Sequence, residues 1–280
     1  VLGRKRTGSV VCPSCGSLVG VNDDRCYTCG RANPGLWGFT PMLRQLGGDL
    51  GFVPVVIGGC VVVYVLTLLA SRGIGGGGFD MLSPSLGALM LFGASGAVPV
   101  FRDSHWWTIL SAMWLHGGIL HILLNMWALR NIGPSTADII GPSRTVVIYV
   151  VGGACGFLLT SLVGYYGPIP LLGGARFSVG ASASILGLVG ALLHYGRVSG
   201  SRLIRSQMTQ YLIFIFAFGF LYPNVDNVAH LGGLAGGYAT SMVFNPLTRE
   251  RGDHVLLAVV CLAATFLAVV LSVMTGMAVF

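Results

Sequence analysis

The chain has 280 residues, 54% of them hydrophobic and only 9% charged, with a mean hydropathy of +0.80. Soluble domains carry roughly 25% charged residues, so these figures exclude a soluble globular protein and require an integral membrane one. The formal charge of +7 needs no nucleic-acid partner, because basic residues set membrane topology and meet anionic lipid headgroups.

The chain opens with "VVCPSCGSLVGVNDDRCYTCGRAN" at residues 10–33, which holds two C-x-x-C pairs, Cys12 with Cys15 and Cys26 with Cys29. Each pair is followed by a glycine, Gly16 and Gly30, which permits a tight backbone turn beneath two sulfurs. Two such turns make a closed four-thiolate site for structural Zn2+. The competing reading is two disulfides, which a reducing compartment disfavours. A nucleic-acid role fits less well, since the basic residues are scattered and lack interleaved aromatics. Residues 1–35 are read as a cytoplasmic zinc-ribbon-like domain and 36–51, with Pro41, Gly47 and Gly48, as a linker. The basic N-terminus lacks an apolar h-region, so the first hydrophobic span is expected to direct its own insertion. Cys60, Cys155 and Cys261 lie in later apolar stretches and read as ordinary buried thiols.

Residues 52–280 are expected to form a transmembrane domain of seven helices. Spans near 52–70, 107–129, 145–163, 178–195, 208–222, 227–244 and 255–279 approach the roughly 20 apolar residues a bilayer requires. The loop at 71–106 carries "GIGGGGF" and the apolar run "LGALMLFGA", too short to cross and suited to the interface. With the N-terminus inside, all but three of the 16 Lys and Arg residues fall on the cytoplasmic side, the exceptions being Arg72, Arg102 and Arg176. The positive-inside rule therefore predicts N-in, C-out, in what is read as a prokaryotic plasma membrane.

Three spans carry polar groups. The second holds His116, His121 and Asn125, the fourth Gly180, Ser182 and Ser184, and the sixth His230. Serine in a membrane helix is usually packing, and Gly180 with Ser184 forms a small-xxx-small pair. A lone histidine can be satisfied by a backbone carbonyl, although ionisable groups at that depth are more often functional. Together they say more. In the predicted topology the three spans run from outside to inside, with Ser182 and His230 each about four residues past a helix start. His121 and Asn125, spaced i, i+4, share a face, at a somewhat greater depth. His116 is expected about 140° around the helix from His121, in a supporting role for the outer loop. Gly232, Gly233, Gly236 and Gly237 form two overlapping G-x-x-x-G pairs after His230. They invite close contact with Gly180, Ala183, Ser184 and Gly187 of the fourth span, which would bring an imidazole within reach of a serine hydroxyl.

In these residues the chain resembles the rhomboid family of intramembrane serine proteases. "GASA" around Ser182, "HGGILHILLN" and "AHLGGLAGG" match the family's nucleophile, H-x₄-H-x₃-N and A-H-x-x-G-x-x-x-G motifs, over about residues 50–280. The resemblance implies an all-α polytopic fold, a six-helix bundle plus a C-terminal seventh transmembrane helix, here preceded by a small four-cysteine zinc ribbon. It implies Ser182 as nucleophile and His230 as base, with Asn125, His121 and the Ser182 N–H binding the oxyanion. His116, Gly180, Gly233 and Gly237 support them. No acidic residue orients His230, and Asp226 is placed at the membrane surface. Catalysis is expected to need no cofactor, and the partners implied are transmembrane protein substrates and membrane lipids. Two departures stand out: Thr108 in place of the family's Arg after Trp107, and Leu186 where an aromatic packs on the histidine.

Other intramembrane proteases fail on sequence, because the single glutamate, Glu250, is not in an H-E-x-x-H motif and no two Asp lie within spans. A catalytically silent rhomboid-like protein that binds transmembrane helices is the alternative reading. A small transporter is disfavoured by the lack of a paired intramembrane charge.

Overall fold

The computed structural model describes residues 4–12, 15–40, 48–72, 82–167, 174–222, 225–248 and 250–277. The "GIGGGGF" stretch, most of the Pro41-to-Gly48 linker and the last two residues of the seventh predicted span lie outside the described residues.

The N-terminal unit is a hairpin of β1 (Ser9–Val11) and β2 (Leu18–Gly20), antiparallel with Val10 opposite Val19. Val10, Val19 and Val21 pack with Cys12 and Cys26 as its small core. Residues 36–40 are tied to its first residues, with the Lys5 N–H donating to the Gly38 carbonyl at 2.9 Å.

The rest is helical: α1 (Phe52–Ser71), a short α2 (Leu86–Leu91), a short α3 (Thr108–Ser111), α4 (Ile119–Ile140), α5 (Pro142–Tyr166), α6 (Ser182–Val198), α7 (Arg202–Leu221), α8 (Asn227–Phe244) and α9 (Gly252–Met277). Every predicted span but the second coincides with one helix, and the fold is the expected helical bundle. Among the described residues, α1, α5 and Asp253–Met277 of α9 are long and apolar enough to cross a membrane, and Thr108–Trp114 with Ile119–Ile140 makes a bent fourth. Helices α6, α7 and α8 are shorter or more polar. In α6 and α8 the reason is packing: α5, α6 and α8 are the most intimately associated helices of the bundle, and helices enclosed by others need not be apolar all round.

Burying apolar side chains gains little where the surroundings are already hydrocarbon, so close packing must hold membrane helices together. The glycines supply it. A Cβ on Gly233 would overlap the Ala183 carbonyl oxygen of α6, and one on Gly237 the Gly187 carbonyl oxygen. The other two glycines of the overlapping pairs face a different neighbour. A Cβ on Gly232 would lie 2.8 Å from the Cys155 carbonyl oxygen, and one on Gly236 2.6 Å from the Cys155 Cβ, both on α5. Gly152 of α5 closes the triangle, its added Cβ falling 2.9 Å from the Gly187 Cα. At Gly152, Gly187 and Gly233 three helix backbones therefore meet with no side chain between them.

The second span departs from expectation. It is two helical pieces, bent by 91° at residues 115–118, where Gly117 and Gly118 interrupt the helix and Gly118 is fully extended. The second piece then runs to Ile140, well past residue 129, with Pro134 inside it. By contrast α7 has only Gly219 buried among its described residues and forms the loosely held flank of the bundle.

Candidate active site

Ser182 is the first residue of α6, where the sequence reading set it four residues inside. Residues 174–181 lead up to it as extended chain and a turn. This segment is fixed by backbone bonds: Ser95 and Ser178 exchange both N–H···O bonds at 3.0 and 2.7 Å, and the Ala97 N–H donates to Ala175 at 3.0 Å. The Gly180 N–H donates to the Ala112 carbonyl at 3.0 Å. Gly180 has φ +135°, a conformation that a residue with a Cβ rarely adopts. The N-cap of α6, Ala181, offers no side-chain acceptor, so the first N–H groups of that helix are among those a helix leaves without an intrahelical partner.

His230 sits in the first turn of α8, buried, with Nε2 2.8 Å from the Ser182 Oγ. For Nε2 to accept that hydroxyl proton, the imidazole proton must reside on Nδ1. Nδ1 is buried and has no hydrogen-bond partner among the described residues. Among the described residues no carboxylate hydrogen-bonds the ring. Asp226 is half-buried and caps α8, its carboxylate accepting from the Ala229 N–H at 2.9 Å and from hydroxyls of neighbouring segments. The ring that meets His230 edge-on comes from elsewhere, Phe216 of α7, with centroids 6.4 Å apart at 83°. Sequence reading sought this aromatic at Leu186, which is instead buried in the main core.

The bend in the second span moves its histidines. Naive counting from residue 107 set His121 somewhat deeper than Ser182 and His230, but α4 begins at Ile119, so His121 lies in its first turn as His230 does in α8. The Gly117 N–H donates to His121 Nδ1 at 3.4 Å, which leaves the neutral ring's proton on Nε2. That nitrogen faces the α6 start: a Cβ added to Gly180 would fall 2.7 Å from His121 Nε2 and 3.6 Å from the Ser182 Oγ. Asn125, one turn on and buried, donates Nδ2 to the His121 carbonyl at 3.0 Å, which leaves a second amide hydrogen.

His116 does not lie on a helix, so the 140° separation does not apply. It falls in the break, fully buried, and its ring packs edge-on against His121 at 5.1 Å. Ser184, expected to face the sixth span, points instead toward α5, where a Cβ on Gly153 would overlap its hydroxyl. Gly233 and Gly237 lie at the α6–α8 contact beneath the Ser182–His230 pair. Near Thr108, the Ser111 hydroxyl donates to the Gly93 carbonyl at 2.8 Å.

In the N-terminal unit the four cysteine Sγ atoms lie within 4.8 Å of one another, with Cys12–Cys29 at 3.8 Å and Cys15–Cys26 at 3.5 Å. A tetrahedral ion with metal–sulfur bonds of about 2.3 Å sets its ligands about 3.8 Å apart, so the cluster has the dimensions to hold a metal. Gly16 and Gly30 both have positive φ and donate to the Cys12 and Cys26 carbonyls at 2.9 Å, giving two equivalent turns. Hydrogen bonds from the Ser17 hydroxyl and backbone lower the Cys15 thiol to about 6.

Fold and site together define a polytopic helical membrane protein with a serine and a histidine from separate helices in hydrogen-bond contact. Residues 103–247, just over half of the chain, match the Rhomboid domain, and the chain belongs to the rhomboid family, known as intramembrane serine proteases. It is 31% identical over 179 residues to Rhomboid protease GluP of Bacillus subtilis (strain 168), an alignment covering 62% of this chain and 33% of that protein. It is 34% identical over 170 residues to RHOMBOID-like protein 1 of Arabidopsis thaliana, covering 59% and 41%. RHOMBOID-like protein 6, mitochondrial, of the same plant is 32% identical over 167 residues, covering 58% and 51%. The chain thus spans a third to about half of the length of these relatives.

Proposed function

We propose that the protein is an intramembrane serine endopeptidase that cleaves single-pass transmembrane proteins through a Ser182–His230 dyad. The observation that carries this reading is the 2.8 Å contact between the Ser182 Oγ and His230 Nε2. His230 takes the hydroxyl proton as Ser182 attacks the scissile carbonyl carbon, leaving a tetrahedral oxyanion. His121 Nε2, the free Asn125 amide hydrogen and the Ser182 N–H are the donors offered to it. A helix N-terminus adds favourable partial charge, and losing one such donor costs about 2.7–4 kcal/mol in comparable hydrolases. Collapse breaks the C–N bond, and His230 returns its proton to the leaving amine. Water then attacks the acyl-enzyme, giving a proton to His230 that passes back to the Ser182 Oγ as the ester opens.

The lysine and arginine distribution supports an N-in, C-out orientation in a plasma membrane, which puts the site near the outer face and residues 1–35 in the cytoplasm as a domain separate from 52–280. Zn2+ is the metal that four thiolates at this spacing suit, held by Cys12, Cys15, Cys26 and Cys29 in a structural role. Cleavage near the outer face follows from this orientation, and the similarity to Rhomboid protease GluP supports proteolysis as the activity.

A fluorophosphonate probe tests the dyad in detergent. Wild type labels, and the label vanishes in Ser182→Ala and His230→Ala; equal labelling of all three would refute the mechanism.

A further inference from the structure

We propose that Asp226 is a positioning residue that clamps the segment carrying Ser182 to the helix carrying His230. The inference builds on the dyad reading above. Its basis is a carboxylate shared by three elements. Oδ1 accepts from the Ala229 N–H of α8 at 2.9 Å and from the Thr160 hydroxyl of α5 at 3.0 Å. Oδ2 accepts from the Ser178 hydroxyl at 2.7 Å. The Thr160 Oγ1 in turn accepts the Ala175 N–H at 3.0 Å, so the segment before α6 is gripped at two points, one directly and one through Thr160. Ser178 stands four residues before Ser182, and Ala229 immediately precedes His230.

An ordinary N-cap does less. Capping α8 needs one acceptor oxygen for an N–H of the first turn, which Oδ1 and Ala229 satisfy. The two hydroxyl donors come from 66 and 48 residues away in sequence and are irrelevant to a cap. Thr160 is fully buried and Ser178 nearly so, so water competes little for either hydroxyl, and bonds to an ionised acceptor are the stronger kind. From the other side, segment 174–181 is held by backbone bonds to Ser95, Ala97 and Val98, none of which reaches α8. Within this network Asp226 links the two halves of the dyad at their approach, above the glycine contact of α6 with α8. It does so without touching the imidazole, whose Nδ1 has no partner among the described residues.

The test separates clamp from cap in the full-length protein. Asp226→Ser keeps a good N-cap but is too short to reach Ser178 and Thr160. Ser178→Ala keeps cap and charge while removing one arm. Two quantities are read: fluorophosphonate labelling of Ser182, resolved into probe affinity and maximal rate, and amide hydrogen exchange over residues 174–181. The clamp predicts that each variant lowers the maximal rate about tenfold, the worth of one charge-assisted bond, with probe affinity unchanged. Exchange should quicken in 174–181 and stay unchanged in α9. The double variant should be no slower than Asp226→Ser alone. Wild-type labelling and exchange in both single variants would overturn the clamp. If wild type fails to label, the protease reading falls, while the exchange comparison still decides the clamp in either direction.

Discussion

Gly233→Ala tests whether backbone contact sets the distance between Ser182 and His230. The added Cβ would overlap the Ala183 carbonyl oxygen, well inside the 3.0 Å that real Cβ atoms respect, and the obstacle is backbone, which no rotamer change can move. Ordinary contact begins at 3.4 Å, so α6 and α8 must part by about 1 Å to admit a single methyl group. Gly233 lies three residues from His230 and Ala183 adjoins Ser182, so the parting falls on the 2.8 Å Oγ–Nε2 contact and stretches it beyond hydrogen-bond range. A misplacement of that size costs about 100-fold in rate, and overpacking costs about 1–3 kcal/mol of stability. Fluorophosphonate labelling kinetics and the thermal midpoint, measured on the same detergent preparation, read both effects. Gly58→Ala in α1 is the control, because nothing lies within 4 Å of its added Cβ; it should label normally. If Gly233→Ala also labels at the wild-type rate with an unchanged midpoint, the reasoning from helix contact to dyad geometry is wrong.

Other expectations follow from single features. Phe216→Ala removes the ring that meets His230 edge-on, an interaction worth about 0.5–1.5 kcal/mol, and labelling should slow up to about tenfold; an unchanged rate would mean the ring does not hold the imidazole. Gly180→Ala forces a Cβ onto a backbone at φ +135° and against His121 Nε2, and should suppress labelling more than Phe216→Ala does; the reverse order would argue against His121 beside the oxyanion. Purified protein should contain about one zinc per chain, absent from Cys12→Ser/Cys15→Ser while labelling of Ser182 persists. Metal-free wild type would remove the zinc assignment. Arg144 is fully buried and donates to the Thr248 carbonyl at 2.7 Å and to His254 Nδ1 at 3.2 Å. Arg144→Met should lower the thermal midpoint and expose the connection between α8 and α9 to protease, since bonds from a charged donor contribute about 1.5–3 kcal/mol. An unaltered digestion pattern would show that this arginine does not fasten α9.

Much of the architecture is legible in the sequence because hydrocarbon imposes a length and a composition on whatever crosses it. The apolar runs located the long helices among the described residues, and G-x-x-x-G spacing identified the face of α8 that meets α6. What the sequence hid is where a helix stops being one. Gly117 and Gly118 sit inside an apolar run whose hydropathy is continuous, so counting residues treated the stretch as straight and misjudged the depth of His121 and the direction of His116. The second face of α8 was also readable in principle, since Gly152, Gly153 and Gly156 cluster in α5. Phe216 and the Thr160–Asp226–Ser178 network were not readable: their partners are 48 to 66 residues apart in the network, and no local periodicity marks such a meeting.

The break at residues 115–118 bears on what must surround it. Non-helical backbone inside a bilayer is tolerated only where protein encloses it or an aqueous cavity reaches it. Leu115 and His116 are fully buried, so here protein encloses the break, and the same interruption brings His121 to the start of α6. A kink made by two glycines thus seats two histidines, His116 and His121, edge to face beside the head of α6.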